Sequence, residues 1–259
     1  MASWQALADE AARWRDAGRT ASLWWRDDDA TDRGAALDRL IALHRGTRVP
    51  LALAVVPANA TQGLADRLAD ERGIDVLQHG YAHVNHASPA EKKKMELGPH
   101  RPAMMVLGEL GTGWLALERL FDRALPVLVP PWNRIAPNLV PTLSEIGFRG
   151  LSTFGHRGRR APRGLVEINT HADLLDWRGN RGFVGEEAAL GALVTALAES
   201  RTASNEPVGI LSHHLAMDAG AWDFLSLLLE KAPRMSGLWF CTARELFAHQ
   251  VTDKGEARG

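Results

Sequence analysis

Several things are scarce in this chain. Its 259 residues include one cysteine, Cys241, and one tyrosine, Tyr81. A lone cysteine cannot close an internal disulfide, so nothing here asks for an oxidising compartment. Neither sign of charge is in excess: 30 basic and 31 acidic residues leave a formal net charge of -1. That balance excludes the broad basic face that nucleic-acid binding needs. Long apolar runs are also missing. The smoothest, Val49 to Ala58, is about half of the ~20 residues a membrane helix requires. Residues 1–18 mix acids and bases around no apolar block of signal-peptide type. The expectation is a cytoplasmic protein with no membrane span.

What is present is enough for a large core. The chain is 46% hydrophobic and 24% charged, which excludes a disordered chain. Trp4, Leu7, Ala11 and Trp14 recur at helical spacing between Ser3, a cap, and Gly18, a stop. Short apolar runs read as strands near Ser22–Trp25, Val49–Val56, Ile74–Leu77, Val127–Val129, Arg149–Thr153, Leu165–Asn169, Val208–Ser212 and Leu238–Cys241. Helical patterns fall between them, at Leu37–His44, Leu64–Leu68, Leu115–Phe121, Leu139–Ile146, Glu186–Leu197 and Trp222–Leu229. Strands alternating with helices predict an α/β protein. With seven or eight strands and no linker or repeat, the expectation is a single-domain, irregular (β/α) barrel over residues 1–259, with 252–259 a frayed polar tail.

The chemically unusual residues follow strand candidates. Asp27, Asp28 and Asp29 follow the first, His79 and His83 the third, Pro131 and Trp132 the fourth, Asp173 the sixth and His213 the seventh. In an α/β barrel the C-terminal strand ends share one face, where catalytic groups collect. Three adjacent aspartates repel one another; one could be a helix cap, but three ask for a cation. His79 and His83 are four apart, the spacing at which one helical turn presents two imidazoles to a metal. With one aspartate they form a set that suits a divalent ion, Zn²⁺ first. The run Lys92–Lys94 reads as a solvated face.

Taken in order, these segments resemble the NodB-homology polysaccharide deacetylases, carbohydrate esterase family 4, over most of the chain. The family's Asp-Asp motif is matched within Asp27–Asp29, its His-Ser/Thr-x-x-His by His79-Gly80-Tyr81-Ala82-His83, and its Arg-x-Pro-Tyr in part by Val129-Pro130-Pro131-Trp132. Asp173-Leu174-Leu175-Asp176-Trp177 matches a fourth motif and Leu211-Ser212-His213 a fifth. The resemblance implies a metal-dependent carbohydrate deacetylase, a hydrolase of carbohydrate metabolism acting on an acetylated glycan or small-molecule precursor. It also implies roles for individual residues. Asp28 is the general base and Asp29, His79 and His83 are the metal ligands, with Asp27 and Asp28 as the alternative register. His213 is the general acid, Asp173 its support, and the Trp132 amide an oxyanion donor. Val129 stands where the family has an arginine, and Arg26 or Arg134 is expected to substitute for it. Pro131 and Trp177 complete the expected substrate-binding set, while Trp25 reads either as a sugar platform or as barrel filling.

Two alternatives accompany this reading: an amidase or deformylase-like hydrolase of another small C–N substrate, and a non-catalytic carbohydrate-binding descendant. The basic run His156–Arg163 reads as a solvated loop or as a clamp for an anionic glycan precursor.

Overall fold

The computed structural model describes residues 2–157 and 164–249. Most of the expected basic loop (158–163) and the expected frayed tail (252–259) lie outside the described residues. The chain clusters into two compact units interleaved in sequence, residues 1–28, 34–52 and 170–243 in the first and 29–33, 53–169 and 244–259 in the second.

The first unit opens with α1 (Trp4–Asp16), where the Ser3 hydroxyl accepts the Ala6 amide and caps the helix. Its buried stripe is Leu7, Ala11 and Trp14, and the Trp14 indole donates to the Leu197 carbonyl. Strand β1 (Ala21–Ala30) begins here, followed by α2 (Ala35–Thr47) and the start of β2 (Leu51–Val55). The second unit takes up the rest of β2, then α3 (Gln62–Leu68), β3 (Ile74–His79), α4 (Ala103–Leu120), β4 (Ala124–Val129), β5 (Gly150–Leu151) and β6 (Val166–Glu167). The chain returns to the first unit for β7 (Ala172–Asp173), α5 (Glu186–Glu199), β8 (Val208–Ser212), α6 (Ala219–Lys231) and β9 (Leu238–Phe240), and α7 (Ala243–His249) falls in the second from Arg244 onward.

Strand order in the first unit is β2-β1-β8-β7 with β9 also on β1, and in the second it is β6-β5-β4-β3-β2. The pairings β1–β8, β1–β9, β7–β8, β3–β4, β4–β5 and β5–β6 are all parallel. Parallel strands are covered on both faces, so they read as continuous apolar runs. Strand β1 shows it: Trp24 and Trp25 point to opposite faces and both are buried. In the second unit Leu110, Leu128, Leu143, Phe148 and Leu151 form one cluster, each large side chain contributing about 1.5–3 kcal/mol by leaving water.

Some elements differ from the sequence expectation. The helix expected over Leu139–Ile146 is a single 3-10 turn at Val140–Thr142 followed by turns; Pro137 and Pro141 each lack an amide donor, and Gly147 follows close behind. Helix α4 starts at Ala103, well before the expected Leu115. The aspartates lie inside β1, which continues to Ala30. The short β7 was not expected, because two residues carry no readable period; it makes His213 follow the eighth strand. Among the described residues no helix is long and apolar enough to cross a membrane.

Candidate metal centre and acid–base residues

Three side chains of the second unit converge. Asp29, near the end of β1, has φ 76°, in the left-handed region that few non-glycine residues enter. Its Oδ1 lies 3.1 Å from His79 Nε2 and 3.3 Å from His83 Nε2. The turn between the histidines is not helical. Strand β3 ends at His79, and Gly80 (φ 56°) and His83 (φ 58°) both adopt left-handed backbone. The four-residue spacing therefore works through a left-handed turn and not through a helical one.

His79 is tied from behind, its Nδ1 lying 3.1 Å from the Val129 carbonyl. A carbonyl can only accept, so Nδ1 carries the proton and Nε2 turns its lone pair toward Asp29. Burial, then the neighbouring His79, pushes the His83 pKa down, while Asp29 and Glu96 pull it up. A lowered pKa favours the neutral imidazole that binds metals. The donor set suits a cation. Ligands about 2.0–2.1 Å from a tetrahedral Zn²⁺ sit roughly 3.3 Å apart, close to the separations of Asp29 Oδ1 from the two imidazole nitrogens. His79 is buried, whereas His83 and Asp29 remain 29% and 31% exposed, leaving one side of the set accessible.

The loop carrying His83 is held by groups that sequence reasoning passed over. Glu96, buried, accepts the Tyr81 and Ala82 amides at 3.1 and 2.8 Å. Gln78, also buried, donates to the carbonyls of Gly80 and Leu110. Neither carried a signal in sequence, Glu96 being one acid among lysines and Gln78 one polar residue in a strand. Trp132 (φ 54°) sits in the 3-10 turn Pro131–Asn133, its ring 4.5 Å from that of His83. Pro131 is buried beside Gly80. Arg134 donates to the Lys94 carbonyl.

In the first unit the other two aspartates of the triplet separate by strand alternation. Arg26 and Asp28 share one side of β1 and meet through Nε–Oδ1 and Nη2–Oδ2 bonds of 2.9 and 3.0 Å. Asp27 faces the other way. It accepts the Ser212 hydroxyl at 2.6 Å and the His214 amide at 3.0 Å, with His214 Nδ1 2.5 Å from its second oxygen. The Trp25 indole donates to Ser212, so Trp25 and His214 belong to a buried network and offer no surface to a sugar. His171 is likewise buried, its Nδ1 accepting the Gly209 amide.

His213 follows β8 and is buried, and among the described residues its Nδ1 has no hydrogen-bond partner. The Trp177 ring stands edge-on to it at 4.7 Å. Asp173 accepts the Leu175 amide and the Trp177 indole at 3.0 and 2.8 Å. Its link to His213 is a charge interaction across space. Burial raises the Asp173 pKa, while His213 and the two hydrogen bonds draw it back.

No family profile matches the chain, and no curated protein does. Solved structures do. A Streptococcus mutans family 4 carbohydrate esterase superposes with a TM-score of 0.57 at 16% identity, over 91% of this chain and 90% of its own. A Streptomyces lividans family 4 carbohydrate esterase, solved in complex with acetate, gives 0.56 at 15% identity over 86% and 91%. The Bacillus subtilis peptidoglycan deacetylase PdaC gives 0.55 at 13% identity over 92% and 94%. At these identities the likeness is one of fold. The chain has the (β/α)-barrel fold of the polysaccharide deacetylases, with parallel strands and flanking helices.

Proposed function

We propose that this protein is a metal-dependent hydrolase that removes an acetyl group from an N- or O-acetylated carbohydrate or glycan precursor. The observation that carries the proposal is the Asp29–His79–His83 set, whose donor atoms lie within 4.8 Å of one another on a fold shared with carbohydrate deacetylases. In this reading those three residues hold a divalent ion, Zn²⁺ first by its preference for carboxylate and imidazole donors. Such an ion, when bound, polarises a carbonyl and makes water a better nucleophile.

The remaining roles belong to the protein. Asp28 accepts the proton of the attacking water, its carboxylate oriented by the two-pronged hold of Arg26. Water oxygen bonds to the acetyl carbon, and the bond from that carbon to the sugar nitrogen or oxygen then breaks. His213 gives a proton to the departing atom, with Asp173 as its charged neighbour. The left-handed turn at Trp132 offers its amide to the developing oxyanion, and one donor of that kind is typically worth about 10²–10³ in rate. Pro131, Trp177 and Arg134 complete the substrate-binding set of this proposal. A cytoplasmic setting is part of it as well, and fractionation of producing cells tests that point.

Metal analysis of the purified protein combined with acetate release from acetylated amino sugars and acetylated xylans tests the function. The expected result is one divalent ion per chain and acetate production that a chelator abolishes. Stoichiometric zinc with no hydrolysis of any acetamide or acetyl ester overturns it.

A further inference from the structure

Glu96 is 1% exposed, yet among the described residues no lysine or arginine pairs with it. Among the described residues its oxygens receive main-chain amides, Tyr81 on one, Ala82 and more distantly Val84 at 3.5 Å on the other. Those three residues bracket His83. A buried carboxylate normally needs a cation or several strong donors to offset its desolvation. Here the donors come from the loop that carries one of the converging imidazoles.

Gly80 shows how closely the parts fit. A Cβ there would stand 2.1 Å from Glu96 Oε2 and 2.5 Å from Pro131 Cγ, at a φ of +56° that side chains rarely adopt. From the other side Gln78 donates to the Gly80 carbonyl at 2.9 Å. The peptide linking His79 to His83 is thus gripped through its amides by an acid and through its carbonyl by an amide side chain.

We propose that Glu96 is a positioning residue for the metal centre: by clamping the Tyr81–Val84 amides it holds His83 toward Asp29 and His79, and its buried negative charge favours a cation among them. The inference rests on the metal-binding part of the proposed function and is independent of the reaction. Groups behind metal ligands typically contribute about 10–100-fold to affinity.

The test uses the full-length protein, freed of metal, with Zn²⁺ affinity measured by competition against a chromophoric chelator. Wild type, Glu96→Gln, Glu96→Ala and Glu91→Gln are compared, and the melting temperature of each metal-free form is recorded. Glu91 makes the same charge change at an exposed site nearby, where it meets His100. The expected result is about a tenfold weaker affinity for Glu96→Gln and about a hundredfold for Glu96→Ala. Glu91→Gln should match wild type, and metal-free Glu96→Gln should melt within a few degrees of it. Unchanged affinity in both Glu96 variants overturns the inference alone and leaves the metal reading standing. So does a collapse of the metal-free Glu96→Gln fold, which would make Glu96 a folding residue. Absence of Zn²⁺ binding by wild type overturns the inference and the metal reading together.

Discussion

Arg26 and Asp28, two residues apart on one strand, meet through two parallel hydrogen bonds with their side chains only 0% and 2% exposed. The guanidinium fork matches a carboxylate edge in this geometry, and an ammonium group cannot copy it. The arrangement gives the proposed base a fixed direction and a local counter-charge from its own strand. Arg26→Ala leaves a buried carboxylate without its cation, which costs about 3–5 kcal/mol. Arg26→Lys keeps the charge and loses the fork, and kcat is expected to fall by up to about 100-fold with metal content preserved. Urea denaturation, turnover and metal analysis of the two variants check both statements.

The three adjacent aspartates are expected to fail in three different ways. Asp28→Asn should retain metal and lose turnover. Asp29→Asn should lose metal, because its Oδ1 faces the Nε2 atoms of both imidazoles at 3.1 and 3.3 Å. Asp27→Asn should keep both at low temperature but melt early, since its carboxylate accepts Ser212 and His214 in a buried network and breaking one buried charged partner costs about 1.5–3 kcal/mol. Loss of turnover in Asp27→Asn with loss of metal in Asp28→Asn would shift the assignment by one residue.

Removing either imidazole should remove metal and activity together. His79→Ala is expected to cost more than His83→Ala, because His79 is buried and held by the Val129 carbonyl whereas His83 is 29% exposed. Metal content after dialysis, measured alongside rate, decides this. Full occupancy in His83→Ala rules that residue out as a ligand.

The raised pKa of Asp173 has a signature in stability. Burial is its first cause, so the folded protein holds this proton more tightly than the unfolded chain does. This contribution is therefore most favourable below the ordinary aspartate value of 3.8 and is lost as pH rises through the raised pKa. Asp173→Asn has no such titration. The stability of wild type relative to Asp173→Asn should decline as pH rises across that window, measured by urea denaturation without metal. A constant difference between pH 3.5 and pH 7 would contradict the assignment.

The amino-acid order by itself determined the alternation of strand and helix, the Ser3-capped first helix, and the placing of His79 and a Pro-Trp turn at strand ends. These are local matters: hydrophobic period and capping chemistry act within a few residues. It also brought Asp29, His79 and His83 forward as one set, because a carboxylate with two imidazoles is chemically distinctive whatever joins them. Local signals did not extend to the Leu139–Ile146 segment, where prolines prevail over an apolar period, nor to a two-residue strand such as β7. The tertiary structure decided how Asp27, Asp28 and Asp29 divide. Alternation along β1 sends Asp27 to Ser212 and His214, roughly 185 residues away in sequence, and Asp28 to Arg26. Asp29, with a left-handed backbone (φ 76°), meets the two histidines. Glu96 was invisible for the same physical reason. Its partners are main-chain amides, which every residue possesses, and only the folded loop shows which of them a buried carboxylate must satisfy.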